Sequence, residues 1–419
     1  MISVQTVEAS LRAWFTDEPP RSSATLSMRD LSNQAECVDA FCKGKPFTMA
    51  IDEWGNKSET HWEDMVEYAD GCVAWITKGR RQIYMKSLTS QVAQYTIPDQ
   101  DVADRFTISA SAIAVATRQG NLWIWEHQGA KEKHRGKVAN ALKFEFSTNA
   151  APVWGMLMSE GIVTVFHGQK RMVATVDLTV WDAKTQKVGH CAISLHEVSQ
   201  WRDYQWDAII LESRQSVVFF ERMHQKFGGP GLFYHTSVSL EGNIQSHGSL
   251  QCPEPTSYVY TNHNEHTAPS SRSKIHNGDV TLWTFAKHSS RAWQLTRIFY
   301  NVDKQQLGQK EDMVEYNGLE PTQGVDFFWR KDVAYTENRQ DFELSMLDVR
   351  QPALKKVPII SKEAFSAKVK TLGGKDSSIT KFMGDETFLV KVCRGYFAVW
   401  CFNRRTNLAK EIPEYQTVL

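Results

Sequence analysis

Residues 113–125 read Ile113-Ala114-Val115-Ala116-Thr117, Arg118-Gln119-Gly120, Asn121-Leu122-Trp123-Ile124-Trp125. Two runs of β-branched, small and aromatic residues flank three turn-formers, the pattern of a β-hairpin. The second run alternates as a half-buried strand does, and so does Glu343-Leu344-Ser345-Met346-Leu347. Neither run carries the i, i+3, i+4 spacing of a helix.

Outward from this stretch the same unit recurs. Upstream it is Cys72–Ile76, a turn at 78–81, then Gln82–Met85. Downstream it is Ile162–Phe166 with a strand ending at Trp181-Asp182, then Val217–Phe220 with Leu232–Tyr234, then Val280–Phe285 with Trp293–Leu295. Val333–Tyr335 with Phe342–Leu347, and Phe388–Val392 with Tyr396–Trp400, complete the series. The units start near 72, 113, 162, 217, 280, 333 and 388, so the interval runs from 41 (72 to 113) to 63 (217 to 280). That period suits four-stranded propeller blades with variable loops. Stacked sandwiches, the other all-β arrangement, have no reason to carry such a super-period. The expectation is an all-β, seven-bladed β-propeller over 46–419 with a helical N-terminal extension over 1–45. The run Pro46–Ile51 precedes the first unit and can supply the outer strand of the last blade, closing the ring without an open edge.

Within the extension, Val4, Val7, Leu11 and Trp14 predict one short amphipathic helix, and residues 21–44 a second with Leu31, Cys37, Val38 and Phe41 on its apolar side. No secretory leader or membrane-spanning run is expected. Seven cysteines, an odd number without a CxxC pair, argue for free thiols in a cytoplasmic or nuclear protein. The chain carries 48 basic and 48 acidic residues, which disfavours a nucleic-acid partner held by overall charge. Fourteen tryptophans suit repeated, half-buried sheet positions.

Trp181-Asp182, with Trp125-Glu126 and Leu347-Asp348 in equivalent places, is loosely similar to WD40-like repeats. Residues 35–51 and 107–126 resemble the helix, first strand and most recognisable blade of fungal F-box proteins whose C-terminal half is a divergent propeller. The F-box itself, a helical segment opening with Leu-Pro, is not evident in this chain. The resemblance implies a substrate receptor of a ubiquitin ligase, with a ligase adaptor as partner only if the full gene product carries an F-box.

Candidate chemistry is sparse. His263, Glu265, His266 and His276 fall in a polar segment, read as a solvated insertion rather than a metal site. Gly228–Gly231 and Gly373–Ser378 lack phosphate-loop spacing and read as turns. Asp52, Glu53, Glu59, Glu63, Asp64 and Glu67 read as a solvated face. No catalytic residue, metal or cofactor is expected. The alternative is a propeller hydrolase or lyase with its site in the central channel. An RNA-associated propeller is a third reading.

One pattern stands out. Each turn joining the two strands of a unit holds a basic residue: Arg80 and Arg81, Arg118, Lys170 and Arg171, Arg222 and Lys226, Lys287 and Arg291, Arg339, and Arg394. If those strands are the second and third of each blade, the turns share one face of the disc. Solvated turn residues that suppress aggregation explain the pattern equally well. The functional reading makes Arg80, Arg118, Arg171, Arg222, Arg291, Arg339 and Arg394 a partner-binding rim for an acidic or phosphorylated peptide. The expected partner is a protein or peptide, with no membrane involved.

Overall fold

The computed structural model describes residues 28–53, 66–77, 79–89, 92–98, 100–110, 112–126, 142–145, 153–159, 161–168, 175–182, 185, 187–194, 205–223, 232–251, 274–276, 279–287, 293–311, 328–330, 333–338, 343–348, 351–356, 381–393 and 396–408. Among them are seven four-stranded sheets, every pairing antiparallel. In the first six blades the four strands follow one another in sequence and in space. The first blade is Val66–Ala69, Cys72–Ile76, Gln82–Ser87 and Val92–Thr96. The second is Ala103–Ile108, Ala112–Thr117, Asn121–Glu126 and Leu142–Glu145.

The seventh blade takes its fourth strand from the other end of the chain. Thr48–Glu53 pairs antiparallel with Tyr396–Cys401, from Thr48 opposite Cys401 to Glu53 opposite Tyr396. This is the closure expected from the run at 46–51. Innermost strands touch in succession around the ring: 66–69 meets 103–108, which meets 153–159, which meets 205–211. Strand 381–384 of the last blade touches 66–69 of the first. The chain is therefore an all-β propeller.

The middle strands of a blade are covered on both faces by neighbouring blades, so they read as continuous apolar runs rather than alternating ones. Ala112–Thr117, Ile162–His167, Phe388–Cys393 and Tyr396–Cys401 are buried at every position. Asn121-Leu122-Trp123-Ile124-Trp125 corrects a sequence expectation, because all five residues are buried and the alternation marks no solvent face. The outer strand Lys187–Ser194 behaves otherwise, with mostly exposed residues around buried Gly189 and Ile193. Trp125-Glu126, Trp181-Asp182 and Leu347-Asp348 each end a third strand, as their likeness in sequence implied.

Ahead of the ring lies one described helix, α1 (Met28–Lys43). Cys37, Ala40 and Phe41 on its apolar side join Tyr335, Leu344 and Met346 of the sixth blade and Phe382 and Trp400 of the seventh in one core. The helix thus fills the outer angle between two blades. The side chain of Leu31 and the helix expected over residues 3–15 lie outside the described residues.

Asp52 also departs from expectation. It sits 6% exposed on the closing strand and is ion-paired with Lys86, itself 8% exposed, of the first blade. A carboxylate needed inside the closure and one solvated on a loop look alike in a sequence. Glu59, Glu63 and Asp64 lie outside the described residues. Cys37, Cys393 and Cys401 are buried free thiols, and burial pushes the Cys37 thiol up to about 12.

Candidate functional site on the face of the second-to-third strand turns

The recurring units are the second and third strands of each blade. Two of the turns are described in detail, and they lie in adjacent blades.

In the second blade Thr117, Arg118, Gln119 and Gly120 make a tight turn. Gly120 donates its N–H to the Thr117 carbonyl at 3.1 Å, and Asn121 donates to the Thr117 hydroxyl at 3.1 Å. Gly120 has φ 82°, a conformation a Cβ would strain. In the first blade, Arg80 donates its N–H to Thr77 at 2.8 Å and Thr77 donates to Gln82 at 3.0 Å. Arg80 itself is left-handed, at φ 55°.

Both turns are fastened to the segment that carries the chain from the first blade into the second. The Arg80 carbonyl accepts the Ala103 N–H at 2.9 Å, and Arg118 donates its N–H to the Val102 carbonyl at 3.0 Å. The Arg81 carbonyl accepts from Ile97 at 2.9 Å, while its guanidinium donates to the Gln100 carbonyl at 2.9 Å. Beneath them Asp101, 1% exposed, accepts from Val102 N–H at 2.8 Å and from the Asn121 amide at 2.9 Å. This lattice of main-chain bonds holds two arginine-bearing turns against one short strand.

That strand is the innermost of the second blade, and it bulges between Ala103 and Arg105. The bulge re-aims side chains at the end of a strand. Asp104 accepts the Val153 N–H of the third blade at 2.8 Å and faces Arg80 of the first, Nη1 to Oδ1 3.8 Å. One carboxylate therefore links three blades. Burial and then the neighbouring Arg118 charge hold Arg80 below the usual arginine range, with Asp104 opposing them and Arg105 adding to them. Arg80 thus feels two like charges, Arg118 and Arg105, beside the one carboxylate of Asp104. Arg118 is exposed and Arg80 half-buried.

Of the other rim residues, Arg222 lies within the second strand of the fourth blade, opposite Gln205 and Phe233, rather than in the turn. The strand runs on to Met223 because its pairing with Leu232 continues. Arg171, Arg291, Arg339 and Arg394 lie outside the described residues, as do His263, Glu265, His266 and both glycine-rich stretches. His276 ends an innermost strand opposite Asp279. Among the described residues no three His, Cys, Asp or Glu side chains stand together as metal ligands would. Arg105 and Asp104 were not foreseen. Their only signal is a pair of charged residues inside a short run bounded by Ala103 and Phe106.

No protein-family model matches the chain, and no curated protein matches it. Solved structures do resemble it at a distance. Hsv2 of Kluyvelomyces marxianus has 11% identity over 78% of this chain and 88% of its own, with a TM-score of 0.41. Sqt1 of Saccharomyces cerevisiae has 7% identity over 82% of this chain and 97% of its own, with a TM-score of 0.38. Neither likeness bears on what this chain binds.

Proposed function

We propose that this propeller is a non-enzymatic interaction scaffold that captures an acidic or phosphorylated protein segment on the face bearing the second-to-third strand turns. The observation that carries the reading is the convergence of Arg80 and Arg118, from successive blades, on the segment 102–105. Main-chain bonds fix the two turns before any ligand arrives, so little ordering entropy is lost on binding. Guanidiniums offer paired donors in a planar fork, which suits carboxylate and phosphoryl oxygens. The basic residues at Arg171, Arg291, Arg339 and Arg394 would extend the same rim around the disc.

The resemblance to F-box propellers makes the captured protein a candidate ubiquitination substrate. That finer role stands on recovery of a ligase adaptor. The compartment is proposed as cytoplasm or nucleus.

The test is affinity capture from source cells with mass spectrometry, run on the wild type and on a variant with Arg118, Arg339 and Arg394 all changed to Glu. The wild type is expected to retain acidic partners in a salt-sensitive manner, and the variant to lose them and flatten the salt dependence. Unchanged retention would refute the rim.

A further inference from the structure

The third blade carries a chain of three hydrogen-bonded side chains with no part in the proposed binding face. His167 ends its second strand, Thr179 lies in the third, and His190 lies in the outer strand directly opposite Thr179. His167 Nε2 stands 3.0 Å from the Thr179 hydroxyl oxygen, and that same oxygen stands 3.0 Å from His190 Nδ1. His167 is 7% exposed and Thr179 2%, whereas His190 is exposed. The chain therefore runs from water into the blade. The fourth blade repeats only its outer half: Thr236 Oγ1 stands 3.0 Å from His247 Nδ1, and Glu221 holds the register position of His167.

A hydroxyl carries one proton. Among the described residues both partners of the Thr179 hydroxyl are imidazole nitrogens, so it donates to one ring while the other ring donates to it. Neutral His190 favours Nε2–H, the more stable neutral form of a histidine side chain. Its Nδ1 then accepts from Thr179, and His167 donates from Nε2. A proton arriving on His190 makes Nδ1 a donor. Unless His167 then offers a bare Nε2, the hydroxyl proton is buried without an acceptor, which is costly.

We infer that Thr179 joins His190 and His167 in a proton relay, through which charging the exposed ring switches the buried ring from its Nε2–H to its Nδ1–H form. The balance is one proton gained from water. His190 takes it at Nδ1, the hydroxyl proton turns from His190 to His167, and the His167 proton leaves Nε2 and is replaced at Nδ1. Burial holds the His167 ring below the usual imidazole range, Asp177 opposite it on the third strand pulls it up, and His190 pushes it down. The charged groups around His190 are Asp177, two residues from Thr179, Lys187 on its own strand, and Glu241 in the fourth-blade turn that meets its backbone. The switched ring immediately precedes Gly168, whose carbonyl accepts the Trp154 indole N–H at 3.0 Å. The relay thus carries outside pH to the point where the chain leaves the second strand for Lys170 and Arg171. It needs no partner, so its failure and that of the binding face are separate results.

The experiment follows isotope-labelled ring nitrogens by NMR in the full chain from about pH 8 to about pH 4. His167→Gln and His190→Gln assign the two rings, and circular dichroism checks the fold of every variant. In the wild type, His167 Nε2 should lose its proton with the same midpoint at which His190 becomes charged. Thr179→Ser keeps the hydroxyl and should keep this coupling, whereas Thr179→Val should abolish it while His190 still titrates. His190→Gln, a change at an exposed position, should remove the His167 switch over the same range. A single His167 tautomer throughout the wild-type titration overturns the relay. So does a switch that survives in folded His190→Gln or Thr179→Val, since the proton path would then bypass these groups.

Discussion

Replacing Phe41 by Ala asks whether α1 is part of the propeller or merely leans on it. Phe41 is 1% exposed and sits near the C-terminal end of the helix. Its ring lies 4.9 Å from that of Tyr335 in the sixth blade and 5.0 Å from that of Phe402, just beyond the seventh. Both neighbours are fully buried, and Tyr335 is fixed on a strand, so the hole left by truncation collapses poorly. A buried Phe→Ala change then costs about 3–5 kcal/mol. Of this, about 0.5–1.5 kcal/mol per ring pair comes from aromatic geometry beyond simple burial.

The backbone adds a second link. The Phe41 carbonyl, one of the orphan acceptors at a helix end, accepts the Tyr335 hydroxyl as well as the Gly44 N–H at 3.0 Å. Tyr335→Phe leaves the carbonyl one partner and should cost only about 1 kcal/mol. Urea unfolding followed by tryptophan fluorescence, with hydrogen exchange over residues 28–43, reads both effects. Phe41→Ala should lower the main unfolding midpoint. A midpoint cost below about 1 kcal/mol, or exchange of the helix amides without any shift of the propeller transition, would refute the view that the helix is integral.

Gly189→Ala should destabilise the third and fourth blades strongly, because a Cβ there would lie 2.1 Å from the Leu240 carbonyl oxygen; a loss of about 1–3 kcal/mol in urea unfolding is expected, and a neutral result would mean that the blades separate easily. Asp52→Asn should cost about 3–5 kcal/mol by removing the carboxylate charge that faces buried Lys86 at the ring closure, whereas a paired apolar replacement of Asp52 and Lys86 should recover most of the loss. His235 is pushed from the usual 6.5 down to about 4 by burial, then by His247, against the pull of the Gln305 backbone. Between those values the unfolded chain binds the extra proton, so this histidine's contribution is complete above pH 6.5 and lost as pH falls toward 4, by at most about 3 kcal/mol. Denaturation across that range should show the slope, and His235→Gln should reduce it.

The repeat was legible because a blade's two middle strands are buried from both sides, which forces apolar runs of limited length at a regular interval. The units starting at Cys72, Ile162, Val333 and Phe388 coincide with observed strand starts, and those near 113, 217 and 280 fall within one residue. The closing strand was legible too, since an apolar run before the first unit needs an edge to cover. Inner and outer strands were harder to see. Val66–Ala69 and Lys187–Ser194 are short or solvent-washed and take their place from pairing with the middle strands.

The sequence by itself determined the repeating hairpin, its period, and the basic residue in each turn, because these depend on local propensity and spacing. Only the tertiary structure decided which charges act together. The turns of Arg80 and Arg118, from successive blades, meet at residues 102–103 through main-chain bonds, and the Asp104 carboxylate joins Arg80 to the Val153 N–H of a third blade. Likewise Asp52 and Lys86, and Phe41 and Tyr335, meet only when the ring closes. Electrostatic coupling falls off within a few ångströms in water, so charges far apart in the chain acquire a joint role only when folding brings them into contact.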